Sequence, residues 1–482
     1  MRRLAPLLLL YCASHTVAYA LPASVTQALE KAGIPTSSVA IEVREIGHAK
    51  PLISLNAQRA MNPASNMKLL TTYAALDLLG PAHTWKTEAW LDGELKDGEL
   101  YGDLILKGYG DPKFTLEQFW LWLSELRARG LRGIRGDLVL DRSYFDLPPH
   151  DPARFDNDPV RAYNVGSDAL LLNFNTVRLR YMPDGNRIDV ASVPAITGFT
   201  LENLLTPAGK PADCRDWDES FSLQPRGDSV ILQGGYPVEC GEREQNLAVL
   251  PHTRYVEAVF RAIWQELGGT LHGIQREGQV PASARLLSTH RSEALSSLIR
   301  DINKYSNNVM ARQLFLALGE SLPLEAESGD MPAVFSGNER TRRMSIERSL
   351  FALHNWLARE RLEFPELVLE NGAGLSRKER ISARHMARLL EHAAHHPLFA
   401  ELRASLPLLG VDGSIQRRLA DSPAAGHAHL KTGTLEDVKT LAGYVRSKQG
   451  RDWIFVFFIN HPNAKRGQDA QDALVEWLAT RH

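Results

Sequence analysis

The chain has 482 residues, 44% of them hydrophobic and 23% charged, with a formal net charge of −2. That length can bury large cores and predicts two or more domains. Without a basic excess it does not read as a nucleic-acid binder, and no acidic block marks a solvating tail.

The first segment, "MRRLAPLLLLYCASHTVAYA", places Arg2 and Arg3 before an apolar run that ends in Ala18-Tyr19-Ala20. This is the A-x-A pattern of a secretory signal, with cleavage expected after Ala20. The run is too short to span a bilayer. Tyr11 beside Cys12 is too large for lipoprotein-type cleavage. The mature protein is therefore expected to be exported and soluble, with at most peripheral membrane association; a retained uncleaved anchor is the alternative. Cleavage removes Cys12 and leaves Cys214 and Cys240. In an oxidising compartment that pair reads as a disulfide, against two free thiols. Closing its loop would stabilise by about 3.5 kcal/mol in the chain-entropy model. No C-x-x-C or HExxH pattern supports zinc, and no metal or other cofactor is expected.

Three zones follow. Up to residue 84, "SVAIEVREI" and "PLISLN" alternate like paired strands. Ser65 to Leu79 then reads as a helix, with Leu69, Leu70, Tyr73, Leu76 and Leu79 at helical spacing and Gly80-Pro81 as its stop. Residues 85–284 are richer in short strands and turns and read as a β-rich insert of two small lobes, holding the cysteine pair. Phe119, Trp120 and Trp122 read as core. From 285 strong helices return, and the stretch 321–339 reads as a mobile surface loop. Two consecutive strands, "KTLAGYVRS" and "DWIFVFFINH", and a last helix, "DAQDALVEWLATR", close the chain. The cluster His392, His395 and His396 reads as a solvated helix face; His427-x-His429 lacks a third ligand for a metal.

Three short motifs carry chemistry. In "NPASNMKLLTT", Ser65 and Lys68 stand three apart, on one face of a helix. A serine hydroxyl is a weak nucleophile until a base takes its proton. A lysine can do so only with a lowered pKa. The bland alternative is a serine cap, although this is the sole S-x-x-K in the chain. In "NKYSNNVMARQLF", Ser306 could relay a proton and the Asn308 amide could hold a substrate carbonyl; a plain N-cap is the alternative. In "AHLKTGTLED", Lys431, Thr432, Gly433 and Thr434 read as an edge strand leading into a turn. Gly433 would let a ligand backbone lie close. Lys431 and the two hydroxyls could bind an anion such as a carboxylate.

Together the motifs run S-x-x-K, S-x-N, K-T-G, the penicillin-binding and serine β-lactamase signature. The chain resembles the low-molecular-mass class C penicillin-binding proteins, the D-alanyl-D-alanine carboxypeptidase/endopeptidase group (peptidase family S13). The resemblance also rests on "GYGDPKFT", "GDLVLDRSYFD", "SDALLLNFN", "NGAGLSR" and "LPLLGVDGS", and on the long insert between the first two motifs.

The resemblance implies an α/β (α+β) transpeptidase-like domain, an antiparallel sheet flanked by helices, built from 21–84 and 285–482 around the insert. It implies a periplasmic serine peptidase acting on peptidoglycan peptides, with β-lactams as covalent inhibitors; a homodimer is compatible with it. Ser65 would attack, Lys68 would act as base and Ser306 would pass the proton to the leaving amine. Asn308 would orient the acyl-chain amide. Lys431 would favour the terminal carboxylate with Thr432 and Thr434. The N–H groups of Ser65 and Thr434 would form the oxyanion hole. Asp158, Tyr163 and Arg377 fall where some members line a side-chain pocket. Asn371 and Ala373 depart from the family's DGSGLSR, which leaves any role for that acid open. Two registers exist for the second motif, Ser306-x-Asn308 and Tyr305-x-Asn307. Alternatives are a β-lactamase or esterase on the same scaffold, and a catalytically silent peptidoglycan-binding protein.

Overall fold

The structure is a computed structural model that describes residues 21–194, 196–209, 213–322 and 343–481. The secretory signal and nearly all of the loop read at 321–339 lie outside the described residues.

The terminal segments build one layered unit. Its elements in chain order are α1 (Ala23–Ala32), β1 (Val39–Glu45), β2 (Ile53–Leu55), α2 (Met67–Leu79), α3 (Leu295–Lys304), α4 (Asn308–Ala317), α5 (Ile346–Arg359), α6 (Ala383–Ala394), β3 (Ala428–Leu435), β4 (Val438–Arg446), β5 (Asp452–Asn460) and α7 (Gln468–Thr480). The five strands form one antiparallel sheet in the order β3–β4–β5–β1–β2. The almost unbroken apolar run of β5 follows from its place at the centre. Trp453 to Ile459 are all buried, because helices cover both faces and neither face needs polar residues. On one face α1 and α7 pack Val25, Leu29, Leu474 and Val475 against Ile41, Phe455 and Phe457. On the other, α2 to α6 close over Ala40, Val456 and Phe458.

Helix α2 lies inside that second layer. Every residue from Met67 to Leu76 is buried, so the expected leucine stripe is not a face: the helix is buried all round because protein surrounds it. Its buried polar groups are paired, as burial requires. Thr71 Oγ1 donates to Gly372 O at 2.7 Å and Thr72 Oγ1 to Lys68 O at 2.7 Å.

The insert is β-rich, but its sheet continues beyond the expected boundary. Arg285–Arg291 pairs antiparallel with Lys86–Lys96, which forms a hairpin with Glu99–Gly108. This sheet and two three-stranded sheets share one hydrophobic cluster, from Ala89 and Leu104 to Tyr181, Leu232 and Tyr236. The helices Leu116–Ala128 and His252–Glu266 supply Phe119, Trp122, Phe260 and Trp264 to it. Trp120 is 38% exposed and departs from the core reading. Cys214 and Cys240 are joined by a disulfide across Cα atoms 5.5 Å apart.

The helical histidines also depart from expectation. His392 Nδ1 lies 2.7 Å from Tyr73 Oη, and His396 Nε2 lies 3.0 Å from Asp77 Oδ1. Only His395, paired with Glu391, sits on an exposed face. The spacing could not reveal that Tyr73 and Asp77 of α2 lie beneath. Among the described residues no helix is long and apolar enough to cross a membrane.

Candidate active site

The site begins in the turn before α2. Ala64 to Asn66 form a single 3₁₀ turn, and Ala64 holds a left-handed backbone at φ 46°. Such a conformation in a residue with a Cβ costs energy and persists only where its surroundings hold it. Here they do. Asn62 N–H donates to Asn460 Oδ1 at 2.8 Å, and Asn460 Nδ2 returns a bond to Asn62 O at 3.1 Å. Ala64 N–H donates to Asn62 Oδ1 at 2.9 Å. Thr440 Oγ1 donates to Pro63 O at 2.7 Å and lies 2.9 Å from Asn66 Oδ1. The α-helix starts at Met67, and no side chain caps it. Ser65 therefore is not the cap that its sequence context allowed. It is fixed by a turn pinned to the central sheet.

One turn on, Lys68 Nζ lies 3.0 Å from Ser65 Oγ and 2.5 Å from Asn308 Oδ1, and it donates to Ala373 O. The lysine is fully buried. Burial pushes its pKa well below the ordinary lysine value; the Lys431 and Arg312 cations add to this and Glu379 opposes it. The carbonyl of Ala373 is presented by a built turn. Glu379 Oε1 accepts the N–H groups of Glu370, Asn371 and Gly372 at 3.1, 3.0 and 3.1 Å. Asn371 Oδ1 accepts Ala373 N–H at 2.9 Å. An amide oxygen makes this Asx turn as well as a carboxylate does, which explains how Asn stands where the family has Asp. The buried acid of this turn is Glu379. Gly374, at φ 79°, is required: a Cβ there would fall 1.9 Å from Ala64 O.

The second pair joins distant segments. α3 ends at Lys304 and α4 starts at Asn308, capped by Asn307, whose Oδ1 accepts Met310 N–H at 3.0 Å. Between them Ser306 takes φ 57°. Lys431 Nζ lies 2.8 Å from Ser306 Oγ and 2.9 Å from Thr432 O. Burial lowers the Lys431 pKa to about 7. It is Ser306 and Asn308 that meet the two lysines, while Tyr305 is 71% exposed and Asn307 caps the helix. Lys304 steadies the link, donating to Asp412 Oδ2 at 2.5 Å and Leu406 O at 3.1 Å.

Strand β3 lies at the sheet edge, as its sequence predicts. Side chains alternate along a strand, so Lys431 and Gly433 share one face and Thr432 and Thr434 the other. Gly433 is not space for a ligand. A Cβ there would meet Thr440 Oγ1 at 2.2 Å, Pro63 O at 2.8 Å and Ala64 Cβ at 2.9 Å. Its missing side chain admits the Ser65 turn. Leu430 N–H donates to Pro407 O, away from β4. By antiparallel alternation the N–H of Thr434 also points off the ladder, to the open edge.

The three residues assigned to a side-chain pocket are not joined. Asp158 is paired with Arg161 at 2.7 Å, and Tyr163 Oη donates to Asp156 Oδ2 at 2.7 Å. Arg377 reaches Glu436 at 3.4 Å and stacks over Phe155, 5.0 Å from its ring centre. Phe155 and Leu375 pack beside Ala64, Leu435 and Val438, so the insert forms a wall of the cleft. Behind that wall a cavity of about 340 Å³ is lined by Phe155, Arg312, Asn371, Ser376 and Arg377, among others. Sequence reasoning missed Asn62, Thr440, Asn460, Glu379 and Arg312. The polar residues at buried positions of otherwise apolar elements were the signal that could have marked Thr440 and Arg312.

A serine beside a buried lysine of lowered pKa, and a second serine–lysine pair facing it, stand on a sheet flanked by helices, the fold of the serine β-lactamase/transpeptidase class. A family model described as D-Ala-D-Ala carboxypeptidase 3 (S13) matches residues 21–481, and the chain belongs to that family. It is 26% identical over 433 residues to D-alanyl-D-alanine carboxypeptidase DacB of Haemophilus influenzae, covering 88% of this chain and 85% of that one. It is 29% identical over 470 residues to a D-alanyl-D-alanine carboxypeptidase of Actinomadura sp. (strain R39), covering 94% and 83%. Its fold is similar to the crystal structure of penicillin binding protein 4 (dacB) from Haemophilus influenzae, with TM-score 0.75, 24% identity and coverage of 94% and 99%. That protein is also known in complex with a β-lactam, TM-score 0.70 to this chain. The expected fold class and serine D-Ala-D-Ala peptidase reading are borne out at the level of the family.

Proposed function

We propose that the protein is a periplasmic serine DD-peptidase that opens D-Ala-D-Ala or D-Ala-diaminopimelate bonds of peptidoglycan peptides through an acyl-enzyme on Ser65. The observation that carries this reading is the 3.0 Å approach of buried Lys68 to Ser65 Oγ, with Asn308 on the same amine nitrogen. An amine whose pKa burial lowers can take the Ser65 proton. Oγ then bonds to the carbonyl carbon of the penultimate D-Ala, and the developing oxyanion sits between the N–H groups of Ser65 and Thr434. Each such donor is worth about 3 kcal/mol. Ser306, held by Lys431, passes a proton to the amine nitrogen as the C–N bond breaks, and the proton that Lys68 took from Ser65 replaces it on Ser306, which leaves Lys68 neutral again. Water then attacks the ester, its proton returning to Ser65 Oγ, and the acid leaves.

A β-lactam would follow the same first step and stay on Ser65. Asn308 orients the acyl-chain amide, and Arg377 with Phe155 borders the amino-acid end of the diaminopimelate that precedes the penultimate D-Ala. Asp158 and Tyr163 are proposed to join that border on substrate binding, since both lie on the same insert segment.

Muropeptide digestion tests this reading. Incubated with uncrosslinked and crosslinked muropeptides, the wild type should release D-Ala or split the dimers by mass spectrometry, and Ser65→Ala should do neither. Rapid turnover of penicillin without peptide cleavage would favour a β-lactamase instead.

A further inference from the structure

Helix α4 carries the second motif at its start, and the insert holds that helix. Asn308 is its first residue, Asn307 caps it, and Ser306 stands just before. One turn after Asn308, on the same side of the helix, Arg312 donates through Nη1 to Tyr163 O at 3.2 Å and to Val165 O at 2.7 Å. The next residue, Gln313, is fully buried. Its Oε1 accepts Asp168 N–H at 3.1 Å, and its Nε2 donates to Asp168 O at 2.7 Å. Asp168 is itself fixed within the insert, where its Oδ2 accepts Arg142 Nε at 2.8 Å. Val309 completes the grip in a small apolar cluster with Val165, Leu171 and Phe174.

Phe174 reaches that cluster through a strained turn. Asn173, Phe174 and Asn175 take φ values of 46°, 55° and 53°, three successive left-handed residues that each carry a Cβ. Such a run persists only where its surroundings impose it. Asn173 Nδ2 donates to Thr176 O at 3.1 Å and to Tyr255 Oη at 3.0 Å, and Asn175 Nδ2 donates to Leu250 O at 2.9 Å. The insert therefore holds an unfavourable backbone in place where it meets α4.

The segment that Arg312 grips is also a wall of the cleft. Asp156 Oδ2 accepts Tyr163 Oη at 2.7 Å, and Asp156 Oδ1 accepts Asn164 Nδ2 at 2.7 Å. Asn164 Nδ2 also donates to Asp158 O at 2.9 Å. Residues 156–165 thus form one bonded unit, next to Phe155 under Arg377 at one end and tied to the Arg312 guanidinium at the other. We propose that Arg312 is a positioning residue: it couples this unit of the insert to Asn308 and Ser306, so that a substrate side chain held by the insert sets the placement of the second motif for acyl transfer. This coupling rests on the peptidase reading above. A guanidinium suits the task, because its charged, planar donors hold a fixed direction towards the carbonyl oxygens they meet. Arg312 acts through α4, a rigid element that bears the motif at its first turn and the latch at its second.

The test compares two synthetic pentapeptide stems ending in D-Ala-D-Ala, one with diaminopimelate as its third residue and one with alanine there. The full chain should prefer the first in kcat/KM. Arg312→Met should lower that preference by about tenfold, as for loss of a hydrogen bond from a charged group, and the loss should fall on kcat rather than KM. Arg312→Lys, which keeps the charge and a donor but not the fork, should fall between. Asp156→Ala, at an exposed carboxylate whose loss does not threaten folding, should lower the preference by about threefold. Removing the Arg312 cation also acts on Lys68, but that slows both peptides alike, as general loosening does, so the ratio isolates the coupling. Cleavage by the variants with an unchanged ratio overturns the coupling. A loss confined to KM does so too, since Arg312 would then belong to the binding wall, and so does a wild type that cleaves both peptides equally. These three results leave the peptidase reading in place. Failure of the wild type to cleave either peptide overturns both. An Arg312→Met variant that fails to fold leaves the Asp156→Ala ratio to decide.

Discussion

The two serine–lysine pairs are built in opposite ways. Ser65 and Lys68 belong to one turn of chain, and a helix start alone brings them together. Ser306 and Lys431 are 125 residues apart and meet only when α3, α4 and β3 have docked. The first pair stands in apolar packing contributed by many helices, and its hydroxyl is pinned by the sheet through Asn62, Thr440 and Asn460. The second hangs on one loop and an edge strand. The likeness is equally instructive. Each site carries a residue with left-handed backbone, Ala64 at φ 46° and Ser306 at φ 57°, and each lysine is 0% exposed. Strain and a buried amine are placed at both hydroxyls and offset by the surrounding fold. Chain topology differs; the electrostatic solution is the same.

The comparison can be broken most severely at the local pair. Ser65→Ala should abolish peptide cleavage and penicillin labelling. Lys68→Met should slow acylation by about 10³–10⁴-fold, the upper range for a general base, and the double variant should be no worse than Ser65→Ala, because the residues act as a unit. Stopped-flow acylation by a chromogenic β-lactam measures both.

The distant pair should be softer. Ser306→Ala and Lys431→Met should each slow acylation by about 10²–10³-fold, and together cost little more than either alone. Additive losses would show that Lys431 does not act through Ser306.

Lys431 also makes a pH-dependent prediction. Its folded pKa is near 7, below its ordinary value of 10.5. Between those values the unfolded chain holds a proton that the folded chain lacks, so its contribution to stability rises with pH across that window and is lowest below pH 7. Lys431→Met should therefore raise Tm relative to wild type by more at pH 6 than at pH 9.5. Equal shifts at the two pH values would contradict burial of an amine.

The smallest expected effect on the site comes from the insert disulfide. Replacing Cys214 and Cys240 by alanine should destabilise the protein by about 3.5 kcal/mol, yet leave the rate of Ser65 acylation near the wild-type value, since both cysteines lie outside the cleft.

This contrast also explains what could be read in the chain beforehand. The three motifs, their order and the strands and helices that carry them were legible, because S-x-x-K is a local contact and the edge strand keeps its alternation. The roles of Asn371 and Gly433 were not. Asn371 works through a backbone turn, and Gly433 gives room to Pro63 and Ala64, which lie more than 360 residues away in sequence. Nor could spacing show that α2 is enclosed on every side, or that His392 and His396 meet Tyr73 and Asp77. The insert sheet ran on to Arg291 for a similar reason: strand pairing over nearly 200 residues is set by packing, not by a change in composition.

The central claim is that Ser65, and no other hydroxyl, takes the acyl group. Peptide mapping by mass spectrometry after incubation with benzylpenicillin tests it most directly. One penicilloyl adduct should appear on the peptide that contains Ser65, with none on Ser65→Ala. An adduct on Ser306 or elsewhere, or a wild type that never labels, would contradict the account.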